Sequence, residues 1–142
     1  MSRVEWSVTL VNDDQAAGRA RRVIRDAMAA GEYDAEVTDA AVLVVSELVT
    51  NATRHAPGTA RVEVRFTVTD EELVVEVYDG NPGRPVRRTA PADAECGRGL
   101  DIVEAVTAEY GGCLGARTAG RGKYVFATLK LTPVPSPSGG PR

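Results

Sequence analysis

The sequence is poor in the residues that build metal centres and disulfide frameworks. Its 142 residues include only two cysteines, Cys96 and Cys113, and one histidine, His55. The cysteines form no CxxC pair, and no histidine lies beside them to complete a set of zinc ligands. We therefore do not expect a structural zinc site.

Basic residues and long apolar runs are also limited. The 17 lysines and arginines are outnumbered by 20 acidic residues, which gives a net charge of -3. Nucleic-acid binders usually carry a basic excess that neutralises phosphates, so we expect no direct binding of DNA or RNA. The longest apolar run, residues 40–45, is too short to cross a membrane, and the N-terminus lacks the apolar segment of a signal peptide. We expect a cytoplasmic protein without membrane contact.

The apolar residues that are present predict a single α+β domain. They make up 43% of the chain, which is enough for one core. Apolar and polar residues alternate over residues 4–10, 62–68 and 73–77, and closing strands are predicted at residues 113–118 and 124–131. Helical spacing predicts a helix that ends at Gly31, a second from Asp34 to His55, and a third that starts near Gly99.

This order of elements, β-α-α-β-β-α-β-β, indicates the architecture. Strands joined by short turns favour a mostly antiparallel sheet with the helices on one face, which is a two-layer α/β sandwich. Residues 1–131 would form this domain, and the Pro/Gly/Ser-rich residues 132–142 a disordered tail.

Three polar features stand out from this pattern. Glu47 and Asn51 lie one turn apart on the second helix, where they face either a ligand or the solvent beside the buried face. Asp79 ends a strand at a glycine-rich turn, where it can accept a hydrogen bond from a ligand or cap the turn. Residues 97–99 (GRG) lead into a helix, and glycines at a helix start suit phosphate, although many helices begin after glycine.

Taken together, these segments resemble the nucleotide-binding motifs of the Bergerat-fold (GHKL) ATPases. Residues 47–56 (ELVTNATRHA) resemble the N box, residues 77–83 (VYDGNPG) the G1 box, and residues 97–103 (GRGLDIV) the G2 box. Residues 122–129 (GKYVFATL) resemble the closing strand. The similarity spans residues 4–131 and is greatest to small bacterial anti-sigma-factor serine/threonine kinases. No phosphoacceptor-histidine hairpin accompanies these motifs, so we do not expect a complete histidine kinase.

The resemblance implies ATP and Mg2+ as cofactors and assigns roles in the reaction. Asn51 would ligate Mg2+, and Glu47 would be the general base that takes the proton of a protein serine hydroxyl. Asp79 would accept a hydrogen bond from the adenine amine, which selects ATP over GTP. Gly83 would let the backbone approach the base closely.

The resemblance also implies how the phosphates are held. Pro82 to Cys96 would form the ATP lid, and backbone N–H groups of four residues would bind phosphate: Gly97, Arg98, Gly99 and Leu100. Arginines 84, 87 and 88 either neutralise phosphate charge or are ordinary solvated residues of the lid.

The sequence departs from the family pattern after the last glycine motif. Many members carry a threonine there that shares a water with the adenine-binding aspartate, whereas this chain has Lys123 and Tyr124. Thr128, on the same strand face as Tyr124, is a candidate substitute. Ser46, His55 and Asp79 contain the residue types of a hydrolase triad, but Ser46 lies in mid-helix without a nucleophile elbow.

The sequence therefore predicts an anti-sigma-factor serine/threonine kinase. The resemblance implies that it binds a sigma factor, phosphorylates an anti-sigma-factor antagonist of the STAS type on serine, and forms a homodimer. The alternatives are a nucleotide-gated binding protein without kinase activity and, less favoured by the short lid, a stand-alone ATPase.

Overall fold

The predicted strands and helices all form, in the predicted order. The computed structural model describes residues 3–55, 60–80 and 94–131, with the backbone alone at residues 94–99. The elements are β1 (Arg3–Val11), α1 (Ala16–Ala29), α2 (Ala35–His55), β2 (Arg61–Thr69), β3 (Glu72–Asp79), α3 (Ala94–Glu109), β4 (Leu114–Ala119) and β5 (Gly122–Lys130). The predicted tail, residues 132–142, lies outside the described residues.

The five strands form one sheet in the order β1-β2-β3-β5-β4. Each of the four pairings between described strands is antiparallel. β5 comes last along the chain but lies between β3 and β4, and its pairing with β3 sets Asp79 opposite Lys123. The sheet therefore joins residues that are far apart in the sequence.

One face of the sheet is buried under the helices, which confirms the predicted two-layer α+β sandwich. The apolar side chains on that face of the central strands are at most 5% exposed, because the strand period of two sends alternate residues to one side. On the three central strands they are Val62, Val64, Phe66 and Val68, then Leu73, Val75 and Val77, then Val125, Ala127 and Leu129.

Helix α2 is the centre of the helical layer. It packs against α1 and α3 on its sides, and its main contact with the sheet is β3. The apolar segment at residues 40–45 is buried, except for Leu43, which is 38% exposed. This packing places α2, the helix that carries Glu47 and Asn51, over β3, the strand that ends at Asp79.

Helix α3 starts earlier than the sequence predicts. Its first residue is Ala94 rather than Gly99, so Gly97 and Gly99 lie inside the helix. Ala94 and Glu95 are good helix formers and extend the helix towards the N-terminus, although each glycine costs about 1 kcal/mol relative to alanine. Tertiary packing of the helix, where Leu100 and Val103 are fully buried, offsets this cost.

Candidate functional site

Asp79, at the end of β3, is a buried carboxylate with a buried cationic partner. The Nζ of Lys123 donates a hydrogen bond to its Oδ2 over 3.2 Å. The two side chains are 0% and 5% exposed, respectively. Both face the helices, because Asp79 follows the buried positions of β3 in phase and Lys123 precedes those of β5. The end of β3 and the start of β5 thus place a carboxylate and an ammonium, paired with each other, in the interior of the protein.

Lys123 stands out in the sequence only as a departure from the family's threonine, and it was not predicted as a site residue. It has the same strand phase as Val125 and Ala127, both of which are buried. A lysine at an apolar position of a strand needs a charged partner, because burying an unpaired ammonium is costly. The strand phase was therefore the available signal, but the identity of the partner depended on the register of β3 with β5.

Gly122 allows this end of the two strands to close. A Cβ at this position would overlap the carbonyl oxygen of Asp79 and approach the hydroxyl oxygen of Tyr78 to 2.6 Å. That hydroxyl donates to the carbonyl of Ala119 over 3.3 Å, so it is held in place. A side chain here would push β5 away from Asp79.

We expect Gly122→Ala to destabilise the protein by about 1–3 kcal/mol, the usual cost of forcing atoms into a filled space. Chemical denaturation monitored by circular dichroism would measure the free energy of unfolding. Gly18→Ala in α1 is the matched control, because its Cβ meets no atom closer than 3.5 Å. That substitution should instead stabilise the helix by about 0.5–1 kcal/mol. A Gly122→Ala protein as stable as the wild type would contradict the close approach.

Asn51, near the end of α2, carries a buried side-chain amide. It is 5% exposed, and within residues 3–55, 60–80 and 94–131 its side chain makes no hydrogen bond. A buried amide left unsatisfied costs about 1–3 kcal/mol, so such a group points to a ligand that satisfies it. Glu47 lies one turn earlier and is half-buried. Of the two neighbouring residues that the sequence singled out on α2, Asn51 is therefore buried and Glu47 is half-buried.

The chemistry of these groups fits Mg2+ and an adenine nucleotide. The described residues contain no cluster of three or more carboxylate, histidine or cysteine side chains able to hold a metal alone. Mg2+ does not require one, because it commonly takes one or two protein oxygens and completes its shell with water and phosphate oxygens. An amide oxygen such as that of Asn51 is a ligand of this type, and the Asp79 carboxylate is an acceptor suited to an exocyclic amine.

The early start of α3 changes the expected phosphate contacts. Only the first four N–H groups of an α-helix lack an acceptor within the helix, namely those of the N-cap and of the first three helical residues, which in α3 are residues 94–96. The N–H groups of Gly97, Arg98, Gly99 and Leu100 follow these and lie within the helical ladder in this conformation. The Leu100 side chain is fully buried in the core. In this conformation none of the four N–H groups is available, and their binding of phosphate stays a prediction.

Thr128 is not brought to the other site residues. It lies on the opposite sheet face from Asp79, and in the β3–β5 register it pairs with Val74, five positions along β3. Its Oγ1 accepts a hydrogen bond from the backbone N–H of Cys113 over 2.9 Å. It shares the face of Tyr124, as predicted, but that face is turned away from the helices. We therefore remove Thr128 from the candidate site.

Several other predicted residues lie outside the described part of the chain or have other contacts. Gly83 and arginines 84, 87 and 88 lie outside it, as do residues 82–93 of the predicted lid.

The Ser46 hydroxyl accepts a hydrogen bond from Nη1 of Arg21 over 2.8 Å. Ser46 lies in the middle of α2, which agrees with the absence of a nucleophile elbow.

The open face of the sheet carries a network in which charges are paired. The ring of Tyr124 lies between Arg65 and Arg117, whose guanidinium carbons are 5.1 Å and 4.7 Å from its centroid. Its hydroxyl donates to Glu63 over 3.1 Å, and burial, with this hydrogen bond, raises the pKa of Tyr124. Arg117 also bonds Glu76 over 3.1 Å. In this network each of the two arginines thus lies close to a glutamate as well as to the ring of Tyr124.

Comparison with known proteins identifies the family. The family model described as the histidine kinase-like ATPase domain matches residues 10–127. The chain belongs to this family. The predicted membership of the GHKL superfamily is thereby confirmed, and domains of this family bind ATP, usually with Mg2+. No curated protein matches the chain significantly.

Solved structures support the same fold. The blue-light activated histidine kinase of Erythrobacter litoralis is 26% identical with a TM-score of 0.56, over 80% of this chain and 40% of that protein. The present chain thus spans less than half of that kinase. The histidine kinase AdeS of Acinetobacter baumannii is 15% identical, with a TM-score of 0.52. This match covers 90% of the present chain and 68% of AdeS, and it shows that the two share a fold. Within the described residues of this ATPase-family domain, no helix has the length and hydropathy needed to span a membrane.

Proposed function

We propose that the protein is an ATP- and Mg2+-dependent serine/threonine protein kinase of the anti-sigma type. The observation that carries the proposal is the buried, unsatisfied amide of Asn51, one helical turn from the half-buried carboxylate of Glu47. Among histidine kinase-like ATPase domains, a metal ligand next to a general base suits transfer of a phosphoryl group to a hydroxyl. A domain that only binds nucleotide does not need the base.

In the proposed reaction, Glu47 acts on the acceptor hydroxyl. Its carboxylate takes the serine proton as the hydroxyl oxygen forms a bond to the γ-phosphorus, the bond to the β,γ-bridging oxygen breaks, and ADP leaves. Bound Mg2+ supplies charge neutralisation at the phosphates. Asn51 would hold that ion through its amide oxygen, and Asp79 would accept a hydrogen bond from the adenine amine.

The proposed partners follow from the similarity to anti-sigma kinases. The protein would hold a sigma factor inactive as a homodimer and phosphorylate a STAS-type antagonist that otherwise displaces it. Incubation with labelled ATP and candidate antagonists from the same genome tests the activity directly. Phosphorylation of one of them on serine is the expected result. ATP binding without phosphorylation of any of them would favour the nucleotide-gated binding protein instead.

A second candidate is the ATP-binding part of a histidine kinase, which the similarity to two solved histidine kinases favours. The chemistry of the product separates the two candidates. A phosphoserine ester survives acid treatment, whereas phosphohistidine is hydrolysed by it. Acid-stable label in the acceptor supports the serine kinase, and acid-labile label supports the histidine kinase.

The Asn51→Ala variant tests the metal ligand. We expect ATP affinity to lose its dependence on Mg2+, because the amide oxygen that ties the ion to α2 is gone. The free energy of unfolding without ligand should stay within about 1 kcal/mol of the wild type, because the substitution also removes an unsatisfied buried amide. Calorimetric titrations with ATP, in Mg2+ and in EDTA, measure the first effect. A large loss of stability without ligand would instead make Asn51 a structural residue.

A further inference from the structure

We propose that Lys123 recognises the nucleotide base directly, by donating a hydrogen bond to N1 of adenine while Asp79 accepts from the N6 amine. This inference rests on the proposed binding of ATP at Asp79. It assigns the base edge to two residues rather than one, and it makes Lys123 a specificity-determining residue.

The first observation is the fixed geometry of the pair. The Lys123 ammonium and the Asp79 carboxylate are 3.2 Å apart, and both side chains are at most 5% exposed. They occupy opposed positions in the β3–β5 register, so the sheet itself sets their separation. Gly122 keeps the two strands close at this point. A donor and an acceptor are therefore held side by side before any ligand arrives.

The second observation is that this pair complements the edge of adenine. On that edge a donor, the N6 amine, lies next to an acceptor, the ring nitrogen N1. A carboxylate accepts only, whereas an ammonium has three donors, so it can bond Asp79 and still donate to a base. A hydrogen bond from a charged donor is stronger than one between neutral groups. An adenine amine bonded to Asp79 would bring N1 towards Lys123.

The same pair would reject guanine in that pose at two positions. Guanine has a carbonyl oxygen where adenine has its amine, and an N–H where adenine has N1. Its oxygen would face the carboxylate and its N–H would face the ammonium, so each polar group would be left without a bond. Lys123 thus adds a second mismatch to the one that Asp79 alone would give.

The test compares nucleotides that differ by a single ring atom, by isothermal titration calorimetry in the presence of Mg2+. In 1-deaza-ATP the N1 acceptor is replaced by C–H, and 7-deaza-ATP is the matched control because N7 lies on another edge. We expect the wild type to bind 1-deaza-ATP roughly 10-fold or more weakly than ATP, the factor expected for a hydrogen bond to a charged group. 7-Deaza-ATP should bind within a few-fold of ATP. Equal affinities for ATP and 1-deaza-ATP would overturn the inference without touching the proposed function.

The Lys123→Met variant assigns the effect to the lysine. It should bind ATP more weakly than the wild type does, and it should no longer distinguish ATP from 1-deaza-ATP. Continued discrimination by this variant would overturn the inference, because another donor would then contact N1. If the variant does not fold, the double variant Asp79→Asn/Lys123→Met, which leaves no charge buried here, serves for the same comparison. Failure of the wild type to bind ATP at all would overturn the proposed function, and this inference with it.

Discussion

Replacing Glu47 with glutamine should lower the rate of phosphoryl transfer to the antagonist by about 10²–10⁴, the usual contribution of a general base. The amide keeps the size of the side chain but cannot take a proton from the attacking hydroxyl. ATP affinity should stay within a few-fold, because a base acts on the transition state more than on the bound ground state. The proposed binding of a sigma factor should also survive. Phosphorylation rates and calorimetric affinities, measured on one preparation of each variant, provide the comparison.

The matched control for this prediction is Glu36→Gln, on the same helix. Glu36 is exposed in the first turn of α2, eleven residues before Glu47. Removing its charge should change neither transfer nor affinity. A Glu47→Gln protein that phosphorylates the antagonist at the wild-type rate would show that Glu47 is not the base.

The Asp79→Asn variant should lose about 3–5 kcal/mol of stability, because it leaves the buried Lys123 ammonium without its carboxylate. For a domain of this size, this corresponds to a fall of roughly 10 °C in Tm. Its ATP affinity should also fall, by roughly tenfold or more, as the acceptor for the adenine amine is weakened. Thermal unfolding without nucleotide separates the first effect from the second.

The double variant Asp79→Asn/Lys123→Met should recover much of the lost stability, since no unpaired charge then remains at this position. Glu5→Gln is a useful control, because its ion pair with Arg3 is 61–64% exposed. Exposed pairs contribute about 0–1 kcal/mol, so that variant should unfold close to the wild type. An Asp79→Asn protein as stable as the Glu5→Gln protein would contradict the buried pair.

Much of the fold was predictable because the buried face of the sheet dictates an alternating sequence. Val62, Val64 and Phe66 had to share a side, and the structure buries all three. The two-layer architecture followed from the order of the elements. The start of α3 was not predictable in the same way, because Gly97 and Gly99 resemble a helix boundary. Packing of Leu100 and Val103, which is not visible in local sequence, extends the helix through them.

The candidate site was predictable where it depends on one element and not where it depends on two. Helical periodicity alone places Glu47 and Asn51 on the same side of α2. The partner of Asp79, by contrast, is Lys123, which lies 44 positions later in the sequence and on another strand. Without the register of β3 with β5, Lys123 could not be assigned to Asp79, and Thr128 could not be excluded from it.

The position of β5 between β3 and β4 has a consequence for how the protein acquires its site during synthesis. The strands emerge in numerical order, so β3 remains an edge strand until β5 has been made. Until then Asp79 lacks its ammonium partner, and the backbone groups along that edge of β3 are unpaired, as in any edge strand. This pairing joins segments that are far apart in the sequence, which makes it a late and cooperative step in folding. The base site therefore forms only when the sheet is completed, and a nascent chain without β5 cannot bind nucleotide in the proposed manner.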